Sequence, residues 1–146
     1  MKPYFLTAAA LMLASALHAQ AQARAPIAAS CAQVEVHNVR PQQGQLMLAA
    51  YTDAESFQKK PVLSLRLAAA DAVMQFQVCG LTGSSVALTL CQDLDSDGKM
   101  GRNLFGVPSE PWGGSGTPGT PGAMGPTWES TRVALHGKTI VVKLST

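Results

Sequence analysis

Asp93, Asp95 and Asp97 stand on alternate positions, and Gly98 follows them at once. Three carboxylates so close together repel one another unless a cation sits among them or their oxygens accept backbone N–H groups. Acidic residues at positions one, three and five of a loop, with glycine at six for the sharp turn, match the first half of a calcium loop. The second half departs from it, because position twelve is Leu104, where an EF-hand needs a bidentate glutamate. Further oxygen donors must then come from along the chain, and Asn103 and Glu110 are the candidates. The competing form is an Asx-turn, in which the same side chains accept backbone N–H bonds with no ion present. Both readings stay open at this point, and a calcium site of this kind belongs to the weak extracellular class, on the order of 0.1–1 mM.

Other chemistry finds less support. The carboxylate pair of a glycosidase flanks the scissile bond from separate positions, whereas three aspartates in one tight loop converge on a single point. Serine, aspartate and histidine are all present, yet no Gly-x-Ser-x-Gly elbow occurs. His37 and His136 each stand without a second histidine at ligand spacing and read as surface residues. Met47, Met74, Met100 and Met124 offer soft thioethers, but Met47 and Met74 fall within strand patterns, where methionine is a common core filler. The expectation is therefore a non-catalytic protein. Nucleic acid is an unsuitable partner, since the formal net charge is only +2 and no basic cluster exceeds Lys59-Lys60.

The elements that must position the acidic loop are strands. Ala32, Val34 and Val36 alternate with Gln33, Glu35 and His37, which gives a half-buried strand from Cys31. Residues 45–51 are apolar in both phases, as a central strand would be, and residues 52–57 form a polar connection whose Phe57 tucks back onto the core. Residues 62–67 alternate again. Met74, Phe76 and Val78 face inward from a fourth strand, and Val86, Leu88 and Leu90 from a fifth, with Ala87, Thr89 and Cys91 outward. After the acidic loop, residues 131–135 and 139–144 read as a hairpin around His136-Gly-Lys138. Seven short strands without a helical period predict an all-β, antiparallel sandwich. Residues 106–126 are dominated by Gly and Pro and read as a long loop ending where Trp128 closes against the sandwich. Gly116, Gly119, Gly122 and Gly125 fall at every third position, far too few triplets for a collagen helix.

The N-terminal residues read as targeting. Lys2, an apolar run over residues 4–17, and small-x-small sites at 19–21 and 21–23 predict a cleaved signal peptide over 1–23. A disordered leader over 24–30 and a single domain over 31–146 follow. The apolar run is too short for a membrane span, and no later stretch is longer. Cys31 lies well past that run, with Arg24 between, which argues against lipid attachment. The expected location is periplasmic or secreted. In an oxidising compartment Cys31, Cys79 and Cys91 predict one disulfide and one free thiol.

Successive blocks carry a resemblance. Tyr51-Thr-Asp-Ala-Glu-Ser-Phe57, Phe76-x-x-Cys-Gly-Leu-x-Gly, Gln92-Asp-x-Asp-x-Asp-Gly-Lys, Asn103-Leu-Phe-Gly-Val-Pro-Ser-Glu-Pro-Trp-Gly113 and Gly125-Pro-Thr-Trp-Glu129 occur in the order seen in one bacterial family. The sequence resembles the domain-of-unknown-function family number 2141, made of small exported proteins. That resemblance implies a prealbumin- or immunoglobulin-like sandwich with no established activity. Three positions depart from the family's pattern. Gln92 stands where a histidine is usual, Gly101 where an aspartate is frequent, and a Gly/Thr/Pro run replaces an asparagine-bearing segment. The last two changes remove oxygen donors from the neighbourhood of the loop.

The topology implied by the resemblance also selects a cysteine pair. It sets the start of the first strand beside the end of the strand that finishes at Cys79, with both cysteines in the outward phase, so Cys31–Cys79 is the expected disulfide. Cys91 lies about 20 Å along its strand from Ser85, at roughly 3.3 Å per residue, against a Cα separation below about 7 Å for a bridge. Two functional classes result. One is an exported binding or structural module whose loop presents a ligand, an unidentified partner's surface or a calcium ion. The other is a periplasmic metal-handling protein that combines the aspartates with Met or Cys91.

Overall fold

The computed structural model describes residues 30–116 and 126–145. The predicted signal peptide, nearly all of the predicted leader, and most of the collagen-like triplets lie outside the described residues. Eight strands and one short helix follow in the order β1 (Ser30–His37), β2 (Gln45–Tyr51), β3 (Leu63–Ala68), β4 (Met74–Leu81), β5 (Ser85–Asp93), β6 (Trp112–Gly114), α1 (Trp128–Thr131), β7 (Arg132–Ala134) and β8 (Ile140–Lys143).

They form two sheets, one ordered β4-β1-β8 and the other β3-β2-β5-β6, with β7 paired to β5 as well. The alternation in β1 does what it predicts, burying Ala32, Val34 and Val36 and leaving Gln33 outside. β2, apolar in both phases, lies between β3 and β5. One core joins the sheets, with Val34, Val36, Val78 and Val142 from the first and Leu46, Leu48, Leu88 and Leu90 from the second all buried in it. Each such side chain removed from water contributes about 1.5–3 kcal/mol before conformational entropy is counted.

Four expectations need correction. The described residues hold eight strands rather than seven. The added β6 reads as loop in the sequence because two of its three residues are glycine, but the glycine serves a close approach. A Cβ on Gly113 would come within 2.4 Å of the Lys143 carbonyl oxygen, so only a bare backbone lets β6 lie against β8. The architecture is not purely antiparallel either, because β8 runs parallel to β1 with Val34 opposite Ile140. Residues 131–135 and 139–144 do not make a hairpin. β7 pairs with β5 and β8 with β1, so the chain crosses from one sheet to the other at the turn containing Gly137. That crossing lets Leu135, Ile140 and Val142 all reach the shared core.

A short helix also appears where none was expected. Thr127 caps α1, its Oγ1 accepting from the Ser130 amide while the Ser130 hydroxyl accepts from the Thr127 amide. The cap holds Trp128 over the outer face of the five-stranded sheet. There it meets Phe57 edge-on at 6.1 Å, and Phe57 meets Tyr51 at 5.2 Å. Phe57 therefore tucks against this outer face, with Tyr51 and Ala87, rather than into the core between the sheets.

The bridge is Cys31–Cys79, and Cys91 is free and buried. The antiparallel β1–β4 register, with Ala32 opposite Val78, brings the two bonded residues together.

Candidate metal-binding loop

The acidic loop leaves the end of β5 and is anchored there by two buried side chains. Gln92 occupies the core phase after Val86, Leu88 and Leu90, yet carries an amide into full burial. Its Nε2 donates to the carbonyls of Arg40 and Gln43, both at 2.7 Å, and its Oε1 accepts from the Arg40 amide at 2.9 Å. One side chain thus ties β5 to the turn between β1 and β2. A polar residue continuing an inward apolar series was the sequence signal for this role.

Asp93 is buried in the opposite phase. Its Oδ2 accepts from Gln45 Nε2 at 2.8 Å and from the Gly98 amide at 2.9 Å, while Oδ1 accepts from the Asp97 amide at 3.1 Å. Gln45 is its register partner across β2 and β5. Asp95 Oδ1 also accepts from the Asp97 amide at 3.1 Å, and Asp97 Oδ1 from the Lys99 amide at 2.8 Å. The loop closes on itself in successive Asx-turns, helped by positive φ angles at Ser96 and Gly98. The two readings of the sequence therefore meet in one geometry. The aspartates serve as Asx-turn acceptors, and one ligand oxygen from each of Asp93, Asp95 and Asp97 lies within 4.8 Å of the others. That trio is able to hold a metal ion.

The other two candidate donors face elsewhere. Asn103 Oδ1 accepts from the amides of Phe105 and Val107, at 2.9 and 3.1 Å, and shapes a separate turn. Glu110 is a brace: Oε1 accepts from the Leu94 amide and Oε2 from the Gly101 amide, both at 2.7 Å. It clamps the two ends of the loop together without joining the aspartate trio. The brace also accounts for Gly101. A Cβ there would stand 2.9 Å from Ser109 Oγ and 3.3 Å from the Glu110 carboxyl carbon, so an aspartate at this position would require the Ser109 and Glu110 side chains to shift.

Electrostatics follow the hydrogen bonds. The Gln45 amide, and after it the Gly98, Asp95 and Asp97 groups, hold the Asp93 carboxyl below its ordinary pKa against the opposing effect of burial. A carboxyl with a depressed folded pKa stabilises the fold above the unfolded value of about 3.9 and loses that contribution as pH falls through the folded value. Asp93→Asn presents an N–H₂ to donors on one side and is expected to melt below wild type at pH 7. The gap between the two should begin to shrink below about pH 4 and close as pH falls through the depressed folded value, where the wild-type carboxyl also protonates. Thermal melts from pH 7 to pH 2 check this, and a gap independent of pH would contradict it.

Cys91 lies two residues before Asp93 on the same face, with Met47 opposite it across the ladder. Met47 thus faces outward, not into the core. Burial, then the Glu110 and Asp93 carboxylates, pushes the Cys91 thiol up to about 11, so it stays protonated at neutral pH. His37 pairs with Glu35 at 2.5 Å on the other sheet, and His136 is exposed in the β7–β8 turn. Neither approaches the aspartates. Among the described residues no helix is long and apolar enough to cross a membrane.

Comparison with known sequences adds one family. Residues 34–143 match the bacterial family described as "Uncharacterized protein conserved in bacteria (DUF2141)". The matched span runs from within β1 to the end of β8 and holds the whole acidic loop. No curated protein and no solved structure matches the chain.

Proposed function

The chain belongs to this uncharacterised bacterial family, and from that premise we propose that it is an exported, non-catalytic binding or structural module whose Asp93–Asp95–Asp97 loop takes up calcium weakly. The observation that carries the metal reading is the convergence of three carboxylate oxygens within 4.8 Å on a loop already folded by its own amides. All the converging donors are hard carboxylate oxygens, the type calcium prefers. Three protein carboxylates with few further donors correspond to the weak end of the range, about 0.1–1 mM. Export is supported by the Cys31–Cys79 bridge, since disulfides persist in oxidising compartments, together with the signal-peptide pattern of residues 1–23. A prealbumin-like sandwich is the corresponding reading of the two sheets, supported by the bridged start of β1 and end of β4.

Calcium that binds only the folded state stabilises it by RT ln(1 + [L]/Kd). At tenfold excess over Kd this is about 1.4 kcal/mol, a rise in melting temperature of about 4–8 °C for a domain of this size. Asp95→Ala should abolish the rise while leaving the calcium-free melting temperature close to wild type, because the Asp97 amide keeps its bond to Asp93. A melting temperature that stays flat up to about 5 mM calcium, a range covering weak extracellular sites, ends the calcium reading.

A second reading is favoured by one specific contact, the pairing of Met47 with Cys91 on the face that also carries Asp93. It makes the protein a metal handler that combines the aspartates with the Met47 thioether or the Cys91 sulfur, the latter only on giving up the proton its surroundings hold. Native mass spectra before and after chelation separate the two readings, since a tightly held soft metal survives desalting and a weak calcium site does not.

A further inference from the structure

The outer face of the five-stranded sheet carries a groove of about 960 Å³. Its floor is set by strand register. Arg66, Met47, Cys91 and Trp112 lie side by side across β3, β2, β5 and β6. The next row, Ser64, Ala49 and Thr89, is small and keeps the trough deep. The chain beyond the acidic loop forms a wall and adds Met100, Phe105 and Val107. Its turn is built rather than loose: Asn103 caps two amides, and Arg102 Nη1 donates to the Gly106 carbonyl at 2.7 Å.

The charged side chains that line this groove are cations, with the Asp93 and Glu110 carboxylates close enough to Cys91 on its floor to act on the thiol. Arg66, Lys99 and Arg102 line the groove, and no carboxylate does among the described residues. None of the three joins an ion pair among the described residues. Arg66 is placed by its contact with the loop, its guanidinium lying 3.3 Å from where a Cβ on Gly98 would stand. A mostly apolar trough with a few placed polar groups is the usual form of a small-molecule site. Here every charged side chain in the lining, among the described residues, is a cation. A purely apolar ligand would leave the cations unused, and a small hydrophilic anion would leave the methionine and tryptophan floor unused.

From this juxtaposition we infer that the groove binds a single-chain amphiphile with an anionic head, such as a long-chain carboxylate. The alkyl chain lies along Met47, Cys91 and Trp112, and the carboxylate sits among Arg66, Lys99 and Arg102. Arginine suits the second role because its planar fork pairs with both carboxylate oxygens. This site adjoins the acidic loop through Gly98 and Lys99, uses none of its carboxylates and needs no calcium.

The experiment is calorimetric titration of the folded, disulfide-bonded protein in chelator with octanoate, decanoate and dodecanoate below their micelle-forming concentrations. Affinity should rise about threefold to fourfold per added methylene, as chain burial requires. Dodecyltrimethylammonium should bind at least tenfold more weakly than dodecanoate. Arg66→Gln with Arg102→Gln should weaken dodecanoate by at least tenfold while the protein stays folded at the titration temperature, both side chains being exposed. Equal binding of the cationic and anionic chains overturns the inference, as does affinity independent of chain length or the absence of binding. Binding to anionic phospholipid vesicles without binding to monomeric dodecanoate also overturns it, and assigns the exposed Leu104 and Phe105 turn to a membrane surface instead.

Discussion

Replacing Cys31 and Cys79 together by serine is expected to lower the melting temperature by about 10–20 °C. The bridge joins residues 48 positions apart. Closing a loop of that length removes about 4 kcal/mol of conformational freedom from the unfolded chain in the entropic description. For a domain slightly above 100 residues, each kcal/mol corresponds to several degrees. The bridge ties β1, the middle strand of its sheet, to β4 at the sheet's end. Calorimetry of the variant checks the value, and the wild type held in reductant should reproduce it without any mutation. A change no larger than that of an ordinary surface substitution, about 0.5 kcal/mol, would refute the assignment of the bridge as a main support.

Gly44→Ala should be comparably damaging, for a different reason. Gly44 has φ +58°, and a Cβ there would lie 1.9 Å from the Asp93 carbonyl oxygen and 2.9 Å from the Leu94 Cα. The obstacles are backbone atoms, so no side-chain rotation relieves the clash. Left-handed backbone costs an L-residue about 1–2 kcal/mol, and overpacking adds about 1–3 kcal/mol. The expected loss is about 2–5 kcal/mol, read from denaturant unfolding. The displaced groups carry the acidic loop, so the calcium-induced rise in melting temperature should vanish in the same variant. A variant as stable as wild type would mean that the β1–β2 turn does not press on the root of the loop.

Period-two alternation made β1, β3 and β4 legible and placed the inward residues of β5, while β2 showed itself by an apolar run in both phases, as a strand between two others does. β6 was not legible, since a glycine needed for close approach to β8 looks the same in sequence as a glycine in a turn. The β7–β8 hairpin was misread for a related reason. Turn residues show where the chain reverses, but not whether it returns to the same sheet. At the site, the spacing of Asp93, Asp95 and Asp97 showed the convergence directly. The roles of Gln45 and Glu110 depended on register and on a fold of the chain 16 residues away. Glu110 was found as a donor candidate, but its carboxylate braces the backbone. Only three-dimensional placement separates those two uses of the same oxygens.

The pairing of β1 with β8 also governs the order in which the domain can be made. Asn38 at the end of β1 donates to the Leu144 carbonyl, 106 positions later in the chain. A nascent chain therefore has β1 and β4 available early, but the third strand of their sheet arrives only after all the other described strands. Until then one edge of β1 has unpaired amides and carbonyls, and one side of the core lacks Ile140 and Val142. Contacts between chain ends close the longest loops and slow folding relative to local pairing. The first sheet thus stays incompletely closed until β8 is free to dock on β1.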